Sequence, residues 1–346
     1  MKKVMLLLNL LLLVACDIHQ WPDKTDYVKL HLSLNYETGM REWENIYTNT
    51  KVIEQGFGKE YDNHLSDGKI RYIIRTYPLS AKKHSADNYV QEFVFTKDIS
   101  LGYNHEVLLD VLPGDYSIMV WSDLIKTDGD THFYDASDFS GIALQGRYVA
   151  DSDYRDAFKG VNNISLVADI VERLPDTLAI TMQRPLAKFE FITKDAIDFI
   201  KKEAERTASE ESGQHSYDAH SRAINIEDYK VVFYYVGFMP NIYSIHSDKP
   251  VDSSLGVMFE SNLRKLNESE VTMGFDYQFA RSDGSSVTVQ FGVYDSNGHE
   301  LIISKPITLP IKRSHHTKIY GNFLTDESAN GTFINPNYGG DHNLIF

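Results

Sequence analysis

Short runs in which apolar and polar residues alternate recur along most of this 346-residue chain, and they constrain its fold more than any other feature. In residues 28–35, Val28, Leu30, Leu32 and Leu34 alternate with polar residues, which is the period of a strand with one buried face. Comparable runs lie at residues 69–77, 89–96, 106–112, 116–121, 165–170, 176–183, 186–193, 230–237, 270–280, 286–294, 299–304 and 316–324. Many short strands separated by turns predict an all-β fold of antiparallel β-sandwiches.

The sequence predicts one short helix and several tight turns among these strands. Residues 195–206 carry apolar residues at helical spacing, and Asp195 is placed to cap the helix N-terminus. A short helical turn is also predicted at residues 155–158. Three turn sequences each predict a hairpin between their flanking strands, namely Pro113-Gly114-Asp115, Asp283-Gly284 and Asn297-Gly298.

The length of the chain and one interruption predict two domains. Arg184-Pro185 separates a predicted strand that ends at residue 183 from one that starts at residue 186. Two β-sandwich units of similar length fit on either side of this point. We therefore predict an N-terminal β-sandwich domain at residues 27–184 and a C-terminal one at residues 185–346, with the helix in the second.

Cys16 is the only cysteine of the chain, and it directly follows a short apolar run. Lys2 and Lys3 precede this run, which suits a signal peptide and is too short to span a bilayer. The ending Leu-Val-Ala-Cys at 13–16 resembles the bacterial lipobox, in which the cysteine receives lipid such as palmitate. The alternative is an ordinary secretory peptide with a chance cysteine. We predict a signal peptide at 1–15, lipid attachment at Cys16 and a lipidated tether at 16–26.

The single cysteine and the net charge exclude several kinds of structure and partner. Once Cys16 is lipidated, no cysteine remains for a disulfide, so the apolar core alone must hold the fold together. The formal net charge is −15 and is spread along the chain. Such a surface repels nucleic acid and anionic lipid headgroups, so we expect no nucleic-acid partner.

The sequence shows no motif that would make the chain an enzyme. It has no glycine-rich phosphate loop, no His-Glu-x-x-His and no Gly-x-Ser-x-Gly, so we expect no catalytic residues, no metal site and no cofactor. Asp128-Gly129-Asp130 and Asp151-Ser152-Asp153 could offer oxygen ligands to Ca²⁺, but the remaining ligands of a calcium loop do not follow, which favours solvated turns. His315-His316 starts a strand, so one ring should be exposed and the other packed.

Trp121 at the end of a strand has two interpretations. It could be a platform for sugar, but a packed tryptophan is commoner in a β-sandwich. Trp21, Trp43 and Trp121 are too scattered along the chain to predict a glycan-binding face. We therefore predict that Trp121 is a packed residue of the first sandwich.

A series of short motifs extends in order over nearly the whole chain, and together they carry a family resemblance. The motifs are CDIH at 16–19, WPD at 21–23, RYIIR at 71–75, LPGDY at 112–116, VWSD at 120–123, RPLAKFEF at 184–191, YVGFMP at 235–240, KP at 249–250, YGNFLT at 320–325, INP at 334–336 and GDHN at 340–343. The chain resembles the FimB-like fimbrial anchor lipoproteins, which are anchoring subunits of the protease-matured type V fimbriae of Gram-negative anaerobes.

This resemblance implies both a fold and a function. The implied fold is two tandem transthyretin-like antiparallel β-sandwich domains. The implied function is that of a structural anchor subunit, which holds a fimbrium (pilus) at the cell outer membrane through the lipid on Cys16 and limits its length. The implied partners are pilin subunits, bound by β-strand exchange or edge pairing. Two alternatives remain: a surface lipoprotein that binds glycan or a host ligand in cell adhesion, and a related accessory or tip subunit.

The resemblance also bears on the direction of assembly. In such fimbriae a pilin accepts a strand after a protease removes its own first N-terminal strand. Cleavage here after Lys29 or Arg41 would separate the body of the protein from its lipid, so we expect the strand at 28–35 to be kept and the first sandwich to be closed. Residues 332–346 are the candidate donor strand; alternatively, they form the last strand of the second sandwich.

Overall fold

The structure is a computed structural model that describes residues 27–47, 53–54, 60–61, 65, 67–80, 88–126, 132–167, 176–212 and 224–325. Across these ranges the chain is mostly β-sheet with one short α-helix, which confirms the predicted all-β class. No helix in this part of the chain is both long and apolar enough to cross a membrane. Cys16, Trp21 and the candidate donor strand at 332–346 lie outside the described residues.

Twelve strands precede Pro185. They are β1 (Val28–Tyr36), β2 (Met40–Tyr47), β3 (Ile53–Glu54), β4 (Glu60–Tyr61), β5 (Lys69–Pro78), β6 (Gln91–Asp98), β7 (His105–Val111), β8 (Gly114–Ile125), β9 (Tyr134–Asp135), β10 (Ile142–Leu144), β11 (Ala157–Leu166) and β12 (Asp176–Met182). The predicted helical turn at 155–158 is wrong. A 3₁₀ turn occupies Asp153–Arg155, and β11 begins at Ala157 because Phe158 and its neighbours pair with β8.

Eleven strands and the helix follow Pro185. They are β13 (Leu186–Thr193), α1 (Ala196–Ser212), β14 (Lys230–Tyr235), β15 (Met239–Ser244), β16 (Lys249–Ser254), β17 (Met258–Asn262), β18 (Arg264–Lys265), β19 (Val271–Phe279), β20 (Ser285–Tyr294), β21 (Glu300–Ile303), β22 (Ile307–Ile311) and β23 (His315–Gly321). The predicted helix is confirmed and is longer than expected, because it continues to Ser212.

The first sandwich is built from two sheets that face each other across an apolar core. The three-stranded sheet has the order β12-β1-β7, and the four-stranded sheet has the order β11-β8-β5-β6. Leu30, Leu32 and Leu34 of β1 are fully buried between these sheets, together with Ile118 and Val120 of β8. The alternation that predicts a strand at 28–35 therefore places three leucines in this core.

The second sandwich has a core dominated by phenylalanine. One sheet has the order β18-β19-β13-β23-β2-β3, with β4 also on β2, and the other has the order β17-β14-β20-β21, with β22 also on β20. Phe191 of β13 lies 5.4 Å from Phe233 and 5.7 Å from Phe291 between ring centroids. Phe323, just after β23, packs 5.7 Å from Phe191, so the end of the described chain belongs to this core.

A third apolar cluster, the central core, joins the two sandwiches. It lies between the outer face of the four-stranded sheet of the first sandwich, the small sheet β16-β15-β10-β9 and the strands β13 and β19. Trp121 is fully buried here, next to Tyr134 at 5.4 Å between ring centroids. The prediction that Trp121 is a packed residue of the first sandwich is confirmed; the indole lies on the outer face of the four-stranded sheet, in the central core. β8 is buried on both faces: Ile118 and Val120 lie in the core of the first sandwich, and Met119 and Trp121 lie in the central core.

Three strand pairs are parallel, where the sequence predicts antiparallel sandwiches. β1 pairs in parallel with β12, and β23 pairs in parallel with both β13 and β2. Parallel neighbours need a long connection between them, and each of these pairs joins strands that are far apart in sequence. The remaining strand pairs between described residues are antiparallel.

Strands from the first half of the chain also take part in sheets formed by the second half. β2 lies beside β23, and β10 pairs with β15. The division into residues 27–184 and 185–346 therefore stays a proposal, since the units it would separate share two sheets.

Two of the three predicted hairpins are wrong. Pro113-Gly114-Asp115 links β7 to β8, but β7 pairs with β1 whereas β8 pairs with β5 and β11. Asp283-Gly284 likewise links β19 to β20, which lie in different sheets. Only Asn297-Gly298 closes a true hairpin, between β20 and β21. A turn sequence reverses the chain, but it does not decide whether the next strand stays in the same sheet.

Candidate functional site

The open edges of the first sandwich, formed by β6 and β7, are the candidate functional site. In the described part of the chain β6 pairs only with β5, and β7 pairs only with β1. The outer side of an edge strand presents N–H and C=O groups that can pair with a strand of another chain. We refer to these two strands together as the β6/β7 edge.

Side chains hold the two strands of this edge near each other. At one end the Gln91 side chain donates to the Asp110 carbonyl oxygen at 3.2 Å and accepts from the Leu112 amide at 2.8 Å. At the other end Lys97 Nζ donates to the Asn104 carbonyl oxygen at 2.8 Å. Side chains therefore link β6 to β7, and no backbone hydrogen bonds pair these two strands among the described residues.

The β6/β7 edge carries apolar side chains on both of its faces. Phe93, Phe95 and Val107 point inward and pack against the first core. On the outer faces, Val94 is 57% exposed and Leu108 is 54% exposed. Exposed β-branched and aliphatic side chains in edge strands favour pairing with another strand.

One of the two acidic residues beside Leu108 forms an ion pair with β1. Asp110 pairs with Lys29 at 2.6 Å, and Glu106 lies 3.4 Å from His31. Charged side chains normally protect an edge strand against association. Lys29 balances the charge of Asp110, so this protection is weakened on one side of Leu108.

The strand β1 occupies the centre of its sheet. Residues from Leu30 to Tyr36 pair with β12, and residues from Val28 to Leu34 pair with β7. The three leucines of β1 are fully buried. A strand from another chain therefore finds no gap between β12 and β7, whereas β6 and β7, between the bridges of Gln91 and Lys97, have no outer strand partner among the described residues.

Buried ion pairs lie away from this edge, near the start of β11 and the end of β12. Arg184 and Asp156 are fully buried and form a bidentate pair at 2.6 and 2.7 Å, and Arg184 also donates to the Thr38 carbonyl oxygen at 2.8 Å. The link to residue 38, just after β1, ties the N-terminal strand to the central part of the molecule. Bidentate pairs of this kind impose a definite orientation on both groups.

A second buried pair links the 3₁₀ turn to β19. Arg155 donates to Asp276 at 2.7 Å and to the Tyr277 carbonyl oxygen at 2.8 Å. Asp276 also accepts from the hydroxyls of Tyr148 and Tyr235. Burial raises the pKa of Asp276 above its usual range, while Arg155 and the hydroxyl donors oppose that rise. Arg155 therefore stabilises the ionised form of the buried Asp276 carboxylate.

Of the two acidic pairs considered as calcium ligands, the described pair, Asp151 and Asp153, does not form a cation site. Asp151 accepts from the two terminal guanidinium nitrogens of Arg264. Asp153 accepts from Lys188 at 2.9 Å and from the Tyr277 hydroxyl at 2.8 Å. The expected solvated turn is wrong for Asp151–Asp153, because protein cations already pair with both carboxylates. Asp128-Gly129-Asp130 lies outside the described residues. Among the residues that the structure describes, no group of three or more His, Cys, Asp or Glu could hold a metal ion.

The adjacent histidines lie in different environments, as the sequence predicts. His316 is buried on β23, with Nε2 at 3.3 Å from a Glu190 carboxylate oxygen, while His315 is only half-buried. Burial would raise the pKa of Glu190, but His316 and Lys188 outweigh it and lower that pKa to about 2. Burial lowers the pKa of His316, and the hydrogen bond and charge of Glu190 oppose that lowering without cancelling it.

Asp195 does not cap its helix through its side chain, which corrects the prediction. Its carboxylate accepts from the Thr193 hydroxyl, from the Leu324 amide at 3.1 Å and from the Thr325 amide at 2.7 Å. These bonds hold the end of the described chain against the start of α1. The sequence contains a suitable acceptor at the right place, but it does not reveal this competing partner 130 residues away.

We expect the stability of the fold to decrease as the pH falls below about 6.5. Burial lowers the pKa of His316, His315 and His105 in the folded protein. The neutral ring is therefore favoured by folding, and the stabilisation is lost as pH falls through the unfolded-state pKa. Urea denaturation at pH 7.5, 6.5 and 5.5 measures this effect. The variant His316→Gln should show a smaller loss over the same interval, and an unchanged or rising stability would contradict the prediction.

Sequence reasoning missed most of these residues. The apolar alternation predicts β1 and most of β6 and β7, but it does not reveal that β6 and β7 are edges. Arg155 and Asp276 are 121 residues apart in sequence, so no local pattern links them. The lipid attachment predicted at Cys16 lies outside the described residues and stays a prediction.

Comparisons with solved structures find proteins of low sequence identity. The fimbrial anchor protein Mfa2 from Porphyromonas gingivalis is 10% identical, with a TM-score of 0.38, over 80% of this chain and 82% of that one. A Bacteroides ovatus protein with the provisional name of adhesin is 12% identical, with a TM-score of 0.40, over 85% and 86% of the two chains. A Bacteroides thetaiotaomicron protein provisionally named as polysaccharide-binding is 12% identical, with a TM-score of 0.38, over 81% and 80%.

Comparisons of sequence point to one family. No curated protein matches the sequence. The sequence profile of DUF6562, described as a family of unknown function, matches residues 23–345. This match covers almost the whole chain and includes the β6/β7 edge, β1 and the central core. The chain therefore belongs to the DUF6562 family.

Proposed function

We propose that this chain is the structural anchor subunit of a fimbrium, held at the cell outer membrane by lipid on Cys16 and limiting the length of the fimbrium. The observation that carries this proposal is the position of β1. The strand that follows the predicted lipidated tether is the central strand of its sheet, and its leucines are in the core. An anchor needs such a firm connection between its lipid and its body.

The proposed function requires that β1 is not removed by a protease. Lys29 lies within β1 and is paired with Asp110, and Arg41 lies in β2, where its amide donates to the Ser314 carbonyl oxygen at 3.3 Å. Proteases cleave extended, accessible segments, and the strands on both sides of these residues are hydrogen-bonded into sheets. This protection supports retention of the first strand and a closed first sandwich.

The proposed junction with pilin is the β6/β7 edge. A closed sandwich has no vacant groove, so it can pair at an edge or donate a segment of its own chain. Val94 and Leu108 supply exposed apolar side chains at that edge. Pairing there leaves β1 and its connection to the lipid undisturbed.

Cys16→Ala should abolish lipid attachment and release fimbriae from the cell, because it removes the proposed membrane anchor. Metabolic labelling with a clickable fatty acid measures the first effect, and the fraction of fimbriae in the culture medium measures the second. We expect complete loss of label and most of the fimbriae in the medium. Label that persists on the Cys16→Ala protein would refute lipidation at Cys16.

Replacing Val94 and Leu108 together with lysine should reduce the pilin that co-purifies from outer membranes by at least about tenfold, because charges on an edge strand oppose pairing. The exposed Val161 on β11 gives a matched control, and Val161→Lys should retain pilin. Both variants should unfold within about 0.5 kcal/mol of the unmodified protein. Normal pilin retention by the double variant would show that the junction lies elsewhere.

A further inference from the structure

One end of the first sandwich, which we call the N-terminal pole, is where the chain enters β1. The strands β1, β6, β8 and β12 begin there, and β5, β7 and β11 end there. The pairing registers bring the strand ends together, since Val28 lies opposite Val111, Leu166 lies opposite Gly114, and Pro78 lies opposite Tyr116. The other end of β1, at Tyr36 opposite Met182, is the end that leads to the second sandwich. Beside the pole, Tyr77 packs against His246 at 4.9 Å between ring centroids.

Four large apolar side chains are exposed at this pole. Tyr27, Leu79, Val90 and Val167 lie directly before or after strands that meet there, and each is between 42% and 67% exposed. The backbone fixes two of them, since the Leu79 amide donates to the Asp115 carbonyl oxygen at 3.0 Å and the Val90 amide donates to the Thr76 carbonyl oxygen at 2.8 Å. Grouped exposed apolar side chains commonly mark an interaction surface.

The length of chain between Cys16 and this pole limits what the pole can meet. Tyr27 is eleven residues from Cys16 in the sequence, and a fully extended chain of that length reaches at most about 40 Å. If Cys16 carries lipid in a bilayer, as the proposed function requires, the N-terminal pole is the described part of the protein closest to the membrane. The last described residue, Thr325, lies beside the start of α1 in the second sandwich.

We propose that the N-terminal pole rests on the membrane and that Tyr27, Leu79, Val90 and Val167 contact its lipid interface. A tyrosine with neighbouring aliphatic side chains matches the mixed polar and apolar environment of that interface. The net charge of −15 gives no electrostatic attraction to anionic lipid, so the contact is apolar and insensitive to salt. The tether raises the local concentration of lipid, so weak apolar contacts are enough to orient the protein.

Cys16 being the only cysteine makes a direct test possible, because a cysteine introduced elsewhere becomes the only free thiol after lipidation. The full lipoprotein with Val167→Cys is labelled with an environment-sensitive fluorophore and reconstituted into vesicles of phosphatidylcholine and phosphatidylethanolamine. Val161→Cys, an exposed apolar position in the middle of β11 on the flank of the same sandwich, is the matched control. Leu79→Cys repeats the measurement at a second position of the pole if the first variant does not fold.

We expect a lipid-borne quencher to reduce the fluorescence of the Val167→Cys label by about twofold or more, at low and at high salt, and to leave the Val161→Cys label unchanged. A pole label that stays accessible to a water-soluble quencher, on protein that floats with the vesicles, overturns the proposal but leaves lipid anchoring intact. A pole label shielded from both quenchers indicates cover by protein and also overturns it. Failure of every variant to float with the vesicles refutes the lipid anchor itself.

Discussion

Trp121→Ala is expected to lower the free energy of unfolding by about 3–5 kcal/mol. The indole is fully buried in the central core, packs beside Tyr134 and donates to Asp123 at 3.1 Å. Its removal leaves a large cavity that the surrounding strands, already bonded on both sides, cannot close, whereas Asp123 keeps its pairing with Arg71. Urea denaturation followed by circular dichroism measures the change. Phe238→Ala, at an exposed aromatic residue, is the control and should cost less than about 1 kcal/mol.

The same experiment reports whether the two sandwiches unfold together. Because the central core is made by strands of both, its weakening should shift one cooperative transition and not create two. A Trp121→Ala protein that unfolds in two separate steps would contradict this expectation. An unchanged stability would mean that Trp121 does not pack as described.

Arg155→Met is expected to lower the free energy of unfolding by about 3–5 kcal/mol, because it leaves the buried carboxylate of Asp276 without a cation. Arg155 and Asp276 are both almost completely inaccessible to solvent, and the same arginine also holds two backbone carbonyl groups. The methionine keeps most of the apolar volume, so the loss reports mainly on charge and hydrogen bonding. Urea denaturation at pH 7.5 measures it.

An exposed pair provides the matched control for Arg155. Arg281 and Asp283 form two hydrogen bonds of 2.9 Å at the surface, so Arg281→Met removes similar contacts where water can replace them. Surface pairs contribute about 0–1 kcal/mol, and we expect a change within that range. Equal losses for Arg155→Met and Arg281→Met would show that burial of the Arg155 pair does not matter.

The sequence predicts strands well wherever the apolar residues of a strand face a single core. β1 fits this description, and its predicted range agrees with the structure within one residue. The range of β13 is also predicted correctly, although that strand is buried on both faces. β2 was missed because its sequence MREWENIY shows no clear alternation, and its place is decided by pairing with β23, far away in sequence. Local patterns cannot reveal a partner strand about 270 residues later.

The candidate site was less predictable than the fold. Burial of Trp121 follows from its residue type, but its location follows from which face of β8 meets the rest of the molecule. Likewise, the sequence Pro113-Gly114-Asp115 predicts a turn, but it does not reveal that β7 and β8 on its two sides belong to different sheets. The edge character of β6 and β7 likewise depends on the absence of a neighbouring strand in the described part of the chain, which no alternation pattern contains.

The direction of β1 has a mechanical consequence. A pull on the N-terminal end of the chain acts along the axis of β1, away from the second sandwich. The hydrogen bonds to β12 and β7 lie roughly across that axis, so the force loads them together in shear and does not open them one after another. Resistance to such a force is a property of the unfolding rate, which can be low even when equilibrium stability is modest. A first strand that is hydrogen-bonded on both sides, as β1 is, therefore suits a protein that is pulled at its N-terminal end.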